Sequence, residues 1–131
     1  MQVVTPIDIA NAIRIDLAAI VDDRRFFCIP LPPDLQAGDV VIESLGGSGV
    51  SGNADVYDVT IGVYDVDEDA ATQAANAISG IVASLPLRVT STQYSNATVN
   101  KPYADHDPRA PQLARQSFRA SVICPGNRIN F

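Results

Sequence analysis

The sequence contains no tryptophan, a single histidine and only two cysteines among its 131 residues. Without tryptophan, the core has to rest on aliphatic side chains together with four phenylalanines and four tyrosines. No uninterrupted apolar run approaches the roughly 18 residues that a membrane span needs, so we expect no membrane partner. The amino terminus lacks a basic segment followed by an apolar one, so we expect no secretory signal.

Positive charge is also scarce in this chain. Lysine and arginine together number 9 against 15 aspartates and glutamates, which gives a net charge of −6. Binding to the phosphate backbone depends on clustered basic residues, so this balance argues against non-specific nucleic-acid binding. We also expect no sequence-specific nucleic-acid partner. It suits solubility, or a partner surface that carries basic patches.

The residues that could hold a metal or perform catalysis are too few and too scattered. Cys28 and Cys124 each lie in an apolar strand pattern, which predicts reduced packing residues, although a disulfide stays possible if the two strands are adjacent. A zinc site needs three or four ligands, and His106 is the only histidine. The acidic run 65–69 is explained by capping of a helix, and it lacks the glycine and glutamate of an EF-hand loop. We therefore expect no metal site and no cofactor.

Residues 47–52 match the letters of the dinucleotide motif G-x-G-x-x-G. That motif requires a helix after the glycines, whereas a strand pattern begins at Ala54. The segment is instead predicted to be a flexible loop that could order on assembly. No other catalytic constellation is evident, and the sequence does not predict an enzyme.

The hydrophobic pattern predicts two helices and five strands. Thr5 and Pro6 mark the start of a helix over 5–21, whose face carrying Asn11, Arg14 and Asp16 is predicted to meet solvent or a partner. Asp67 is the expected cap of a second helix, which Pro86 ends. Strands are predicted over 24–29, 39–44, 54–66, 87–95 and 113–124, with a polar crossing at 96–112.

This order, α-β-β-β-α-β-β, predicts an α+β fold with a mostly antiparallel sheet and two helices packed on one of its faces. The whole chain, 1–131, is expected to form one domain with a flexible loop at 45–54 and an irregular tail at 125–131. The opposite sheet face is mixed in character and could be hydrated or meet another subunit.

The layout resembles the tail terminator, or tail completion, proteins of long-tailed bacteriophages. The resemblance covers nearly the whole chain. It rests on the amphipathic first helix, the Pro-bounded strand pair, the glycine-rich loop and the long alternating strand that leads into an Asp-capped helix. The segment 107–118 is similar to the one that precedes the last strand in such proteins.

The resemblance implies a hexameric ring of identical subunits at the head-proximal end of the virion tail, assembled after synthesis in the host cytoplasm. Its implied partners are the tail tube protein and the head-completion or connector proteins, with DNA passing through the ring. No cofactor is implied. The alternatives are a neck or head-closure subunit and, from another class, a small cytosolic ligand-binding regulatory domain.

Residues for the interfaces are predicted from exposure and chemistry, because arginine and aromatic side chains dominate binding energy and loops supply much of the contact. These candidates lie in the first helix, the glycine-rich loop and the last crossing: Arg14, Val50, Lys101, Tyr103, Arg109 and Arg115.

Overall fold

The computed structural model describes residues 1–49 and 54–131. It contains two α-helices, α1 (Ile9–Ile20) and α2 (Glu68–Ala83), and a 3₁₀ turn at Leu85–Leu87. The strands, in chain order, are β1 (Gln2–Thr5), β2 (Phe26–Cys28), β3 (Val40–Ser48), β4 (Asp55–Asp65), β5 (Asn96–Val99), β6 (Tyr103–Ala104), β7 (Ala114–Cys124) and β8 (Asn127–Asn130).

The main sheet has the strand order β2-β3-β4-β7-β5, and β6 also pairs with β7. Among the described residues, only β2 and β3 are parallel, and every other pair in this sheet is antiparallel. Leaving aside the terminal strands β1 and β8, the helices and strands follow the predicted order, so the α+β class is confirmed. The structure adds the short strand β6 and the two terminal strands to the prediction.

Both helices contribute to one apolar core on a single face of the sheet. In β4, the alternate residues from Tyr57 to Val63 are buried on this face, as their alternation predicts. Ile13 and Leu17 of α1 and Ile78 of α2 are buried against them. This face is therefore the one that the hydrophobic pattern identified.

The opposite face, called here the outer face, is covered over part of its area. Val41, Tyr64 and Ala110 form a second, smaller apolar cluster there. The segments around Leu31 and Leu113 supply further contacts to it. Tyr64 belongs to the face that was expected to be hydrated or to meet another subunit, and it is buried because these two proline-rich loops fold over the sheet.

The first helix begins later than predicted. Thr5 pairs with Asn127 in a ladder, so its backbone is extended and the cap falls to Asp8, whose carboxylate accepts the backbone N–H of Asn11. The second helix begins where predicted, because the Asp67 carboxylate accepts the N–H of Ala70.

The predicted strand at 87–95 is wrong. A 3₁₀ turn occupies Leu85–Leu87, and the edge strand β5 begins only at Asn96. The crossing at 96–112 therefore contains β5 and β6. Leu87 and Val89 gave the segment an apolar appearance, yet both are exposed.

The tail at 125–131 is also more regular than predicted. It contains β8, which pairs with β1 in a separate two-stranded ribbon that brings Met1 next to Phe131. The glycine-rich loop begins later than expected, because β3 continues to Ser48 across a bulge between Ser44 and Gly46. Residues 50–53 of that loop lie outside the described residues.

Both cysteines are free. Cys124 on β7 is buried, whereas Cys28 on β2 is half-buried. The strands β3 and β4 lie between β2 and β7, so the condition for a disulfide, adjacent strands, is not met.

Candidate interaction surface

Two of the predicted interface residues lie at the β5 end of the sheet. Lys101 is exposed immediately after β5, and Tyr103 lies in β6, where it pairs with Ser117 of β7. The Tyr103 side chain is 43% exposed. The backbone N–H of Arg119 donates to Asn100 Oδ1 at 2.6 Å, which fixes the turn that carries Lys101. This pair is therefore presented outward by a hydrogen-bonded segment.

Arg115 is held against the outer face by residues of its own chain. Its guanidinium lies 5.5 Å from the ring centroid of Tyr64 and 3.4 Å from a carboxylate oxygen of Asp105. It also crosses Gly62, where an added Cβ would stand 2.6 Å from Nε. Only 15% of the Arg115 side chain is exposed. Its main role in the described structure is to pack the sheet, which sequence reasoning did not anticipate.

Arg109 is joined to the same region through Asp107. The two carboxylate oxygens of Asp107 accept hydrogen bonds from Arg109 Nε at 2.9 Å and Nη2 at 3.0 Å. The Tyr64 hydroxyl donates to Asp107 as well. The Arg109 side chain remains 61% exposed, so it can still meet a partner while its position is fixed.

This buried cluster alters the acidity of its members. The hydrogen bonds from Arg109 hold the pKa of Asp107 well below its usual range, and the Tyr64 hydroxyl adds to the effect. Burial, with the hydrogen bond to Asp107, raises the pKa of Tyr64 to about 12. Asp107 is buried because it joins its loop to β4 through Tyr64.

The remaining two candidates are placed differently. Arg14 on α1 is half-buried, and its guanidinium donates to Asn11 Oδ1 at 2.8 and 3.0 Å. Val50 lies outside the described residues. The structure thus brings Lys101 and Tyr103 together, links Arg109 with Arg115 through Tyr64, and leaves Arg14 apart on α1.

Asp16 was predicted to lie on the exposed face of the first helix, and this prediction is wrong. Its carboxylate is buried and accepts hydrogen bonds from Ser91 N and Oγ, each at 2.7 Å, and from Tyr94 Oη at 2.8 Å. The segment before β5 therefore folds back onto α1. No sequence signal marked this contact, because the partners are 75 or more residues apart.

A shallow depression of about 600 Å³ lies on the uncovered part of the outer face. It extends across β4 and β7, between the bulge of β3 and the end of β5. Its Asp58 carboxylate accepts the Ser121 hydroxyl, so this acidic group is engaged within the sheet. The other lining side chains include Leu45, Thr98, Asn100 and Arg119.

Within residues 1–49 and 54–131, no group of three or more His, Cys, Asp or Glu side chains is arranged to bind a metal ion. No helix in the same residues has the length and apolar character to span a membrane.

Neither a known family model nor a curated protein matches the sequence. The fold, however, is similar to that of a chain in a solved structure described as the virion of a native gene transfer agent particle. The two chains are 20% identical, the match covers 84% of each, and the TM-score is 0.57. This chain therefore shares the fold of that virion chain over most of its length.

Proposed function

We propose that this protein is a structural component of a virion, which caps the tail tube as a hexameric ring and offers a joining surface to the head. The observation that carries the proposal is the similarity in fold to a chain of a gene transfer agent virion, across 84% of both chains. The resemblance of the sequence to tail terminator proteins supports the finer assignment.

Two buried carboxylates serve to hold segments of the chain together, which is consistent with a structural role. Asp16 and Asp107 are buried and fully occupied in holding segments together. Such acceptors stabilise a fold by satisfying buried donors, and they are poorly available to a substrate. We therefore propose that the protein acts by stoichiometric assembly and not by turnover.

Capping of a tube requires only that ring surfaces match or differ, and it needs no chemical step. A tube that grows by stacking identical rings exposes the same surface after every addition. A terminating ring has to match that surface on one side and present a different surface on the other. Identical subunits that contact each other through two different surfaces form a closed ring when the rotations between neighbours add up to a full turn. Head-completion or connector proteins would then bind the second surface.

Deletion of the gene in the particle that encodes this protein tests the proposal. We expect filled heads that remain unattached, together with abnormally long tails, in electron micrographs. Added purified protein should restore joining only to tails that have not overgrown. Tails of normal length that fail to join heads would indicate a neck or head-closure role instead.

Imaging of the purified protein distinguishes the virion roles from a cytosolic regulatory domain. Rings in negative stain are expected for a tail terminator. A monomer at all concentrations that binds a small metabolite would contradict both virion roles and favour a cytosolic regulatory domain.

A further inference from the structure

The charges of this chain are divided unevenly along its sequence. Residues 1–69 carry 13 acidic and 3 basic side chains, whereas residues 70–131 carry 2 acidic and 6 basic ones. The first part supplies α1, β2, β3 and β4, and the second supplies most of α2 and β5 to β7. Since β2 and β5 are at opposite ends of the strand order, the β2 side carries most of the acidic side chains, together with Arg14, Arg24, Arg25 and Arg109, and the β5 side carries Lys101 and Arg119.

The acidic edge is defined here by Asp8, Ile29 and Glu43. These residues line one depression of about 330 Å³ beside β2 and β3. All three are exposed, and Ile29 gives the depression an apolar wall. Two arginines lie near this edge. The Arg14 guanidinium is engaged with Asn11, and Arg109, which interacts electrostatically with Glu43, is engaged with Asp107.

The basic edge is defined here by Lys101, Tyr103 and Arg119. All three are exposed next to β5 and β6, at the other end of the sheet. Lys101 is the only lysine in the sequence. A lysine can lay its aliphatic stem along an apolar wall while its ammonium reaches carboxylates, and the acidic edge offers such a wall beside two carboxylates.

Strand direction is compatible with the same contact. In the main sheet β3 and β7 run in one direction, and β4 and β5 run in the other. The part of β3 beyond Ile42 has no strand beside it on the β2 side among the described residues. A neighbouring copy in the same orientation would therefore present β5 antiparallel to this part of β3. Antiparallel pairing continues the pattern of the sheet.

We infer that copies of this chain associate head to tail, with the basic edge of one copy seated on the acidic edge of the next. The alternative, a two-fold dimer, would place like charges against each other, which disfavours association. The inference deepens the proposed ring, on which it rests, by assigning the surface between its subunits.

Charge reversal tests the assignment. Lys101→Glu and Glu43→Lys each place like charges across the contact, so each variant alone should assemble only at about tenfold or higher concentration than the original protein. An equal mixture should recover assembly in a 1:1 ratio, because each reversed edge meets its reversed counterpart. The matched control is Gln73→Lys, at an exposed position on α2 away from both edges. Sedimentation velocity and native mass spectrometry measure the outcome.

Zero-length carbodiimide coupling of the unmodified protein gives a second readout that needs no variant. Because Lys101 is the only lysine, a covalent dimer linked through a lysine must use it. We expect peptides that join Lys101 to Glu43 or Asp8. Coupling only to other acidic residues, or variants that assemble like the Gln73→Lys control, would overturn the inference.

The same experiments keep this inference apart from the proposed function. A hexamer that is indifferent to both charge reversals would remove the edge assignment and leave the capping ring standing. An open filament that both reversals disrupt would retain the edge contact and contradict the capping ring.

Discussion

The Tyr94 hydroxyl donates a 2.8 Å hydrogen bond to the carboxylate of Asp16, across 78 residues of sequence. Both residues are buried. Together with the two hydrogen bonds from Ser91, this contact fixes the segment before β5 against α1. The edge strand β5 is therefore positioned partly by a helix from the other end of the chain.

Asp16→Ala is expected to destabilise the protein by about 2–4 kcal/mol, because it leaves several buried donors without an acceptor. Urea unfolding followed by circular dichroism measures the change. Asp23→Ala, at an exposed position after the same helix, is the control and should stay within about 0.5 kcal/mol of the original protein. Equal effects of the two substitutions would show that the Asp16 cluster does not support the fold.

Tyr64 should make the protein sensitive to alkali. Its pKa is raised from an ordinary value of 10 to about 12 in the folded state. The stability it contributes is therefore fully present below pH 10 and lost as the pH rises towards 12. Titration of phenolate absorbance should show a late component that Tyr64→Phe removes. A titration curve unchanged by Tyr64→Phe would contradict the burial of this phenol.

Asp107 should make the stability of the protein sensitive to acid. Its folded-state pKa lies below the ordinary value of 3.8, because Arg109 and Tyr64 donate to the carboxylate. The stability is therefore present above pH 4 and is lost as the pH falls further. Asp107→Asn should cost about 2 kcal/mol at neutral pH and flatten the acid limb of the stability curve. Asp23→Asn serves as the exposed control, and an identical acid limb in both variants would refute the assignment.

Two glycines should respond oppositely to alanine. At Gly47 φ is +153°, and an added Cβ would stand 1.9 Å from the carbonyl oxygen of Val56. Gly47→Ala therefore has to disrupt the β3–β4 pairing and should destabilise the protein by about 1–3 kcal/mol. Gly80 lies within α2, and beyond its chain neighbours and the backbone of its own helix nothing lies within 4 Å of an added Cβ. Gly80→Ala should stabilise the fold by about 0.5–1 kcal/mol. Thermal melts of both variants measure these opposite changes in stability.

The elements that could be predicted from the sequence are those with local signals. The alternation from Tyr57 to Val63 identified the buried face of β4, and Asp67 identified the start of α2. The features that were missed depend on distant partners. Thr5 carries the signal of a helix cap, but its pairing with Asn127 keeps the backbone extended.

The interface candidates also show that contacts between distant residues could not be predicted from the sequence. Lys101 and Tyr103 were predicted to be available, and the structure exposes both. Arg115 was predicted on the same grounds, yet it packs over Tyr64 because Gly62 leaves room for its guanidinium. A pattern of residue types cannot show which arginine finds an aromatic ring across the sheet.

The ribbon of β1 and β8 also makes a circular permutation of this chain feasible. Phe131 N donates to Met1 O at 2.7 Å, so residues 1 and 131 lie side by side. A short peptide bridge between them would convert the ribbon into an ordinary hairpin, and loop closure of this kind costs little. The chain could then be opened elsewhere, in the exposed turn between β5 and β6, without changing a single strand partner. Such a circular permutant would present both of its new ends at the basic edge.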